Sequence, residues 1–212
     1  MILVGQYDSP YVRRVAVSLH LLGLAFTRNT ISGFADADKM RRINPLGRIP
    51  SLILDDGEVL IDSAAILDHL DEGVGPDRAL LPASGRERRH ALRIVALATG
   101  IIDKAGAIVY ERTLRPAEKV HVPWIERCRI QVDSALAALE ALTGAGFYLR
   151  DRPMQPDVTV GCMLAYVGAR LPEARAGGTY PKLEAFAETA AGLDAFAATE
   201  PAPDETMPGT LT

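Results

Sequence analysis

Three short polar segments in the first third of the chain have the residue types and spacing of a binding site. Ser9 is followed by Pro10, residues 44–50 read NPLGRIP, and Asp62 is followed by Ser63 where an apolar helical pattern begins. A helix N-terminus offers free backbone N–H groups, and a serine there adds a hydroxyl; both donors favour an anionic group. The pair Asp62-Ser63 therefore predicts a site that binds an anion.

The middle segment predicts an edge that can pair with an extended peptide. Pro50 follows a β-branched residue at the mouth of a predicted strand, residues 51–54. Proline removes a ladder donor there, and an X-Pro bond is where a cis peptide costs least. A cis bond after Ile49 turns the amide and carbonyl of Ile49 outward, where a peptide can add as a strand. With the donors at Ser63, this edge predicts a socket for a short anionic peptide.

The composition predicts a chain that forms its own hydrophobic core and disfavours nucleic acid and membranes as partners. The chain has 212 residues, 48% of them hydrophobic, and a formal net charge of −4. That charge disfavours nonspecific binding to nucleic acid or acidic membranes. The apolar run at residues 94–102 is far shorter than a membrane span, and residues 1–5 lack the basic start of a signal peptide. We expect a cytoplasmic protein without nucleic-acid or membrane partners.

Cysteine and histidine show no spacing typical of metal or redox chemistry. Cys128 and Cys162 fall in separate helical patterns, and the four histidines stand apart from one another. This usage predicts no metal site and is typical of a reducing compartment.

Strand and helix signals alternate over the first eighty residues in the order β-α-β-α-β-β-α. Hydrophobic periodicity predicts strands at residues 2–4, 25–31, 51–54 and 58–61, the last two joined by the turn signal DDG. Helices are predicted from Pro10, around residues 39–43, and from Ser63, which is expected to be the N-cap of its helix.

Everything after the first 76 residues predicts helices. Residues 77–85 form a predicted linker, and helical periodicity covers residues 86–114, 120–142, 157–170 and 181–191. The expected fold class is α/β plus all-α, with a domain at 1–76, a helical domain at 86–200 and a loose C-terminal tail at 201–212.

The chain resembles the glutathione S-transferase superfamily, and more narrowly its small bacterial members with a Ser-Pro motif. The resemblance rests on SPYVR at residues 9–13, NPLGRIP at 44–50, the pair Asp62-Ser63, and FAATEP at 196–201, in this order over nearly the whole chain. It implies a thioredoxin-like N-terminal domain (βαβαββα), a helical C-terminal domain, a homodimer, and glutathione as cosubstrate with no tightly bound cofactor.

By this resemblance Ser9 is the catalytic residue, whose hydroxyl hydrogen-bonds the glutathione sulfur and favours the thiolate. A free thiol has a pKa of about 8.5, which donors and a helix dipole lower. The alternative is a plain helix cap, because Ser followed by Pro is favoured at the N-cap and the first helical position. The absence of cysteine at position 9 disfavours disulfide exchange with glutathione.

The resemblance also implies five glutathione contacts in the other two segments. The backbone of Ile49, held by Pro50, pairs with the peptide, and Arg48 reaches the glycine carboxylate. Asp62 and Ser63 bind the γ-glutamyl end, where Asp62 is one methylene shorter than the usual Glu. Four of these residues have a structural alternative: a rigid turn for Ile49 and Pro50, a solvated side chain for Arg48, and a helix cap for Ser63.

The remaining candidates concern the walls of the site. Tyr11 is either a second thiol donor or aromatic wall, or a tyrosine packed on its helix. Ile102 and Tyr110 are candidates for the second-substrate pocket.

The expected function is a glutathione transferase in which the thiolate attacks a hydrophobic electrophile. Two alternatives stay open: a glutathione-dependent peroxidase or thiol-handling enzyme, and a non-catalytic glutathione-binding or scaffold protein. The electrophile stays open, as does the choice between glutathione and a related thiol.

Overall fold

The computed structural model describes residues 1–205 and divides into two compact units. The first unit contains residues 1–85 and the segment from Gly192 to the last described residue, and the second contains Arg86–Ala191. In the described range, no helix has the length and apolar character needed to cross a membrane. Short 3-10 turns lie at Ala117–Lys119, Pro172–Ala174 and Ala176–Gly178. The strands and α-helices are β1 (Ile2–Val4), α1 (Pro10–Leu22), β2 (Thr27–Asn29), α2 (Ala37–Ile43), β3 (Ser51–Ile53), β4 (Val59–Leu60), α3 (Ser63–Val74), α4 (Gly85–Thr113), α5 (Val122–Leu142), α6 (Gln155–Arg170), α7 (Pro181–Ala191) and α8 (Asp194–Ala197).

The first unit is built on a mixed four-stranded sheet in the order β2-β1-β3-β4. β1 is parallel to β2 and antiparallel to β3, which is antiparallel to β4. The parallel pair needs a crossover, and α1 supplies it. The predicted element order and the thioredoxin-like class are confirmed. One core cluster joins α1, α3 and the sheet, and its members include Leu3, Val12, Val15, Leu19, Leu52, Ile66 and Leu70.

Helix α1 has the ends that its sequence predicts. Ser9 is the N-cap, Pro10 is the first helical residue, and Gly23 ends the helix at a φ of 66°. A positive φ suits glycine because it has no Cβ to clash with the following carbonyl. These local signals fix the residue at which the helix presents its N–H groups.

Helix α3 is capped by a different residue from the one predicted. The Asp62 carboxylate accepts a hydrogen bond from the backbone N–H of Ala64 at 2.9 Å, so Asp62 is the N-cap. Ser63 is the first helical residue, and its side chain is buried. The predicted cap at Ser63 is therefore wrong. Asp and Ser are about equally good caps, so the pair Asp62-Ser63 alone did not decide between them.

The predicted linker at residues 77–85 packs on the first unit. The Asp71 carboxylate accepts hydrogen bonds from the backbone N–H groups of Leu80 at 2.7 Å and Leu81 at 2.9 Å. Leu80 is buried in the core cluster of that unit. The hydrogen bonds between the Asp71 carboxylate and these two loop amides leave no pattern in the sequence. The sequence therefore predicts only a linker at this segment.

The C-terminal segment differs from its prediction as well. Residues 192–200 belong to the first unit, not to the helical domain at 86–200. The buried side chains of Phe196 and Thr199 anchor them there. Glu205 is also buried, so the predicted loose tail does not begin at residue 201; residues 206–212 lie outside the described residues. Helix α8 has four residues, too few for periodicity to reveal its buried face.

The second unit contains α4 to α7, whose bounds agree with the predicted helices to within two residues. Helix α6 begins at a buried carboxylate. Asp157 accepts hydrogen bonds from the backbone N–H groups of Tyr148 and Met154, both at 2.9 Å. Burial raises the pKa of Asp157 to about 6, although the two hydrogen bonds lower it. Met154 gives no side-chain cap, so Asp157 alone holds this helix start.

We expect Asp157 to make the stability of the protein depend on pH. Its folded-state pKa of about 6 exceeds the ordinary value, so its contribution is fully present below about pH 4 and is lost as pH rises through 6. At about 1.4 kcal/mol per pKa unit, the loss is about 3 kcal/mol. Urea unfolding of wild type and Asp157→Asn between pH 4 and 7 measures it.

The Asn variant should be less stable throughout, because one backbone N–H then faces an amide N–H₂. The difference in unfolding free energy from wild type should shrink as pH rises from 4 to 6. Asp151→Asn at an exposed position is the control and should follow wild type. A constant difference across this range would contradict the raised pKa.

Candidate active site

Three loops of the first unit meet at one end of its sheet. Val4 at the end of β1 lies opposite Ser51 at the start of β3, and Leu60 at the end of β4 lies opposite Leu52. Since β3 is antiparallel to both neighbours, its start lies beside their ends. The β1–α1 loop (residues 5–9), the segment that enters β3 and the turn that leads to α3 therefore share this end. These are the three segments that the sequence singles out.

Ser9 caps α1 weakly. Its Oγ accepts a hydrogen bond from the backbone N–H of Val12 at 3.5 Å, at the long limit of a hydrogen bond. The first turn of α1 carries no acidic residue. Its free N–H groups and dipole therefore act on an anion at Ser9 without a competing carboxylate in that turn. The half-buried hydroxyl also keeps its own proton to donate.

The β1–α1 loop touches the segment that enters β3. The Ile49–Pro50 bond is cis, as predicted. Gly5 has a φ of +133°, and a Cβ at that position would lie 3.0 Å from Ile49 Cβ and 2.6 Å from Val12 Cγ2. Only glycine permits this approach, so the loop leading to Ser9 packs directly on Ile49.

Asn44 shapes the loop that carries Arg48. The buried amide of Asn44 donates to the Arg48 carbonyl at 2.8 Å and accepts from the Leu46 N–H at 3.0 Å. The side chain of Arg48 is exposed. The buried Asn44 side chain thus holds the loop, while the guanidinium of Arg48 points to solvent, where it can contact an anion. The sequence places Asn44 in this segment without revealing this role.

A buried arginine supports Ser63. Arg14 donates to Ser63 Oγ from Nη2 at 2.8 Å and from Nε at 3.2 Å, and its side chain is 3% exposed. The Tyr11 ring centre lies 5.5 Å from Arg14 Cζ, so the half-buried Tyr11 packs on this guanidinium. A buried positive charge at the start of α3 adds to the helix dipole, which strengthens the attraction for an anion.

The sequence did not single out Arg14. The one indication in the sequence is that a charged residue stands among the apolar positions of α1. This helix is buried around most of its circumference. The partner that gives Arg14 its role is 49 residues away in the chain.

The two second-substrate candidates lie on α4 in the other unit. Ile102 is buried and Tyr110 is 46% exposed. Only Tyr110 therefore presents a large surface to solvent, and the pocket assignment of both residues stays a prediction.

Residues 1–205 contain neither a cluster of metal ligands nor an exposed thiol. This part of the chain contains no cluster of three or more His, Cys, Asp or Glu side chains that can hold a metal ion. Cys128 and Cys162 are buried and form no disulfide, and burial raises the pKa of Cys128. A buried, protonated thiol is a poor nucleophile.

The fold and the site define a thioredoxin-like domain, in which two helix N-termini and the Ile49–Pro50 segment lie at one end of the sheet, followed by a helical domain. The family profile described as "Glutathione S-transferase, N-terminal domain" matches residues 3–78, and "Glutathione S-transferase, C-terminal domain" matches residues 122–196. The chain belongs to the glutathione S-transferase family.

Full-length relatives include both enzymes and ligand-bound structures. A maleylacetoacetate isomerase from Pseudomonas aeruginosa is 32% identical over 95% of this chain and 96% of its own. A glutathione S-transferase from Methylobacterium radiotolerans, in complex with glutathione sulfonate, has a TM-score of 0.88 at 30% identity and covers 98% of this chain and 97% of its own. A glutathione transferase family member from Pseudomonas fluorescens Pf-5, with bound glutathione, has a TM-score of 0.81 at 34% identity, with 95% and 98% covered.

We predict that Ser63→Ala destabilises the folded protein more than loss of the α3 cap does. The variant removes the acceptor of two buried Arg14 N–H groups, which costs about 1–3 kcal/mol, whereas Asp62→Ala removes a cap worth about 1 kcal/mol. Urea unfolding without ligand measures both, with Ser134→Ala, at an exposed position in the middle of α5, as control. Equal stability of Ser63→Ala and wild type would contradict the support by Arg14.

Proposed function

We propose that the protein is a glutathione transferase whose bound thiolate attacks a hydrophobic electrophile. The observation that carries this proposal is the convergence of Ser9, the Ile49–Pro50 segment and Ser63 at one end of the sheet. Glutathione has matching parts: a thiol in the middle, backbone amides beside it and a carboxylate at each end.

The ends of glutathione meet groups of opposite charge in this arrangement. The γ-glutamyl α-carboxylate accepts from the Ser63 hydroxyl and the N-terminus of α3, with the Arg14 charge behind them. The exposed Asp62 carboxylate attracts the α-ammonium, and Arg48 attracts the glycine carboxylate. The backbone of Ile49 pairs with the cysteinyl residue as a short added strand.

Ser9 then acts on the sulfur. Its hydroxyl donates a hydrogen bond to the thiolate, and the dipole of α1 favours the negative charge, so the pKa of the bound thiol falls. The thiol proton leaves to solvent. The thiolate donates an electron pair to the electrophilic carbon, and a carbon–sulfur bond forms as the leaving group departs or as an activated double bond accepts the electrons.

The family relatives support this proposal, because solved structures that resemble this chain hold glutathione or its sulfonate. We also propose a homodimer in the cytoplasm, on the basis of the family resemblance. We propose that Tyr11 lines the site through its packing on Arg14. We also propose that Ile102 and Tyr110, both on α4, contact the second substrate.

Ser9→Ala tests the role of the hydroxyl. We expect the pKa of the bound thiol to rise and kcat for conjugation to fall at least about tenfold, as for loss of one donor to a developing or fixed anion. The free energy of unfolding should fall by less than about 1 kcal/mol, because the cap hydrogen bond is long. Thiolate absorbance against pH and conjugation of a chromogenic aryl halide measure these effects.

Ser9→Thr keeps the hydroxyl and is the matched control, with a thiol pKa near that of wild type. An unchanged thiol pKa and kcat in Ser9→Ala would make Ser9 a helix cap only.

A second candidate reaction is glutathione-dependent isomerisation of a carbon–carbon double bond. It is favoured by the full-length relative named maleylacetoacetate isomerase. The same thiolate adds to the double bond, the resulting single bond rotates, and the thiolate leaves, so glutathione is regenerated.

Glutathione stoichiometry distinguishes the two reactions. For a transferase we expect one glutathione to be consumed for each product molecule formed. Thiol titration and product formation are measured side by side, once with an activated cis-alkene diacid and once with an aryl halide. Turnover of the alkene to its trans isomer with no loss of thiol, and no conjugation of the halide, would replace the transferase assignment with an isomerase.

A further inference from the structure

The C-terminal segment holds the chain on both sides of Ser9. Glu205 contacts the backbone of Tyr7, two residues before Ser9, and the Phe196 carbonyl accepts from Arg13, four residues after it. All of these residues lie in the first unit. The segment is therefore part of the structure that presents Ser9.

The contact before Ser9 is a buried carboxylate on a backbone amide. Glu205 Oε2 accepts the Tyr7 N–H at 2.5 Å, and both Glu205 oxygens lie 2.8 Å from Arg28 Nη2. Arg28 Cζ stacks 3.4 Å from the centre of the Tyr7 ring. Glu205 is 6% exposed and Tyr7 is 3% exposed. A charge-assisted hydrogen bond in such surroundings is stronger than one in water, and leaving the amide without it is costly.

Tyr7 lies inside the turn that directly precedes α1. The Ser9 N–H donates to the Gln6 carbonyl at 3.2 Å, so residues 6–9 form a turn with Tyr7 as its second residue. Gly5, just before it, donates its N–H to the Asn29 carbonyl at 2.9 Å. Holding the Tyr7 amide thus fixes the turn from which the Ser9 hydroxyl projects.

The contact after Ser9 fixes the first turns of α1. Arg13 Nη2 donates to the Phe196 carbonyl at 3.1 Å, and Arg13 Cζ lies 5.7 Å from the centre of the Phe196 ring. Phe196 is buried, so the side chain of Arg13 is tied to a fixed point. Between the two contacts Ser9 has little room to move relative to the dipole of its own helix.

We propose that Glu205 is a positioning residue for Ser9, acting through the Tyr7 backbone and assisted by Arg28. It does not touch glutathione. Its effect on the reaction is to keep the Ser9 hydroxyl where it meets the sulfur, because small displacements of a donor cost about ten- to a hundredfold in rate. The effect on the sulfur rests on the proposed function; the effect on the loop does not.

The test compares Glu205→Ala with Glu205→Gln and with the exposed control Asp204→Ala. Hydrogen–deuterium exchange of residues 6–9 without ligand reports the loop, and the pKa of the bound thiol with kcat and KM reports the site. We expect at least about tenfold faster exchange of the Tyr7 amide in Glu205→Ala. We also expect a higher thiol pKa and a lower kcat at little-changed KM. Glu205→Gln keeps an acceptor for that amide. Its exchange rate, thiol pKa and kcat should therefore lie close to those of wild type.

Two results would overturn the proposal: unchanged exchange and thiol pKa in a folded Glu205→Ala, or exchange that rises equally across the first unit, which is a general loss of stability. If Glu205→Ala does not fold, Arg28→Ala on the edge strand β2 replaces it and should raise exchange of residues 6–9 above that of the rest of β1 and α1; no such rise overturns the proposal. If wild type binds no glutathione, the proposed function fails, while the exchange measurement still decides the role of Glu205.

Discussion

The antiparallel pairing of β3 with both β1 and β4 is the constraint on which the site depends. It brings the start of one strand beside the ends of two others, so two helix N-termini and the Ile49–Pro50 segment share a small region. The two helices, α1 and α3, each contribute N–H donors and a positive dipole end. We propose that a peptide with a thiol between two carboxylates finds a complementary group for each part there. The sheet register brings the three segments that carry these groups to the same end of the sheet.

Hydrogen bonds from buried side chains give this region its rigidity. Arg14 crosses from α1 to Ser63, Asn44 holds the Arg48 loop from inside, and Glu205 reaches the Tyr7 amide from the end of the chain. In each case a buried polar group is satisfied by a partner distant in the chain or across a turn, as buried polar groups must be. Removing one partner leaves the other buried without it, which explains why we expect large effects from small changes.

Local signals predicted much of this structure. Ser9 and Gly23 mark the ends of α1, the DDG turn marks the β3–β4 hairpin, and Pro50 marks the cis bond, because each of these depends on neighbours in the chain. The ordered motifs predicted the family.

The errors have a different origin. The cap of α3 could not be assigned because Asp62 and Ser63 compete at adjacent positions, and the roles of Arg14 and Glu205 depend on partners 49 and 198 residues away. Periodicity carries no information about such pairs. The assignment of residues 192–200 to the helical domain failed for the same reason, since their contacts with the first unit are tertiary.

The central claim is that the convergent end of the sheet holds glutathione with its sulfur at Ser9. A crystal structure of the protein soaked with glutathione tests it most directly. We expect the sulfur within about 3.5 Å of Ser9 Oγ, the cysteinyl backbone paired with Ile49, and the γ-glutamyl carboxylate at Ser63. Glutathione bound elsewhere, or an empty site at saturating glutathione, would contradict the account.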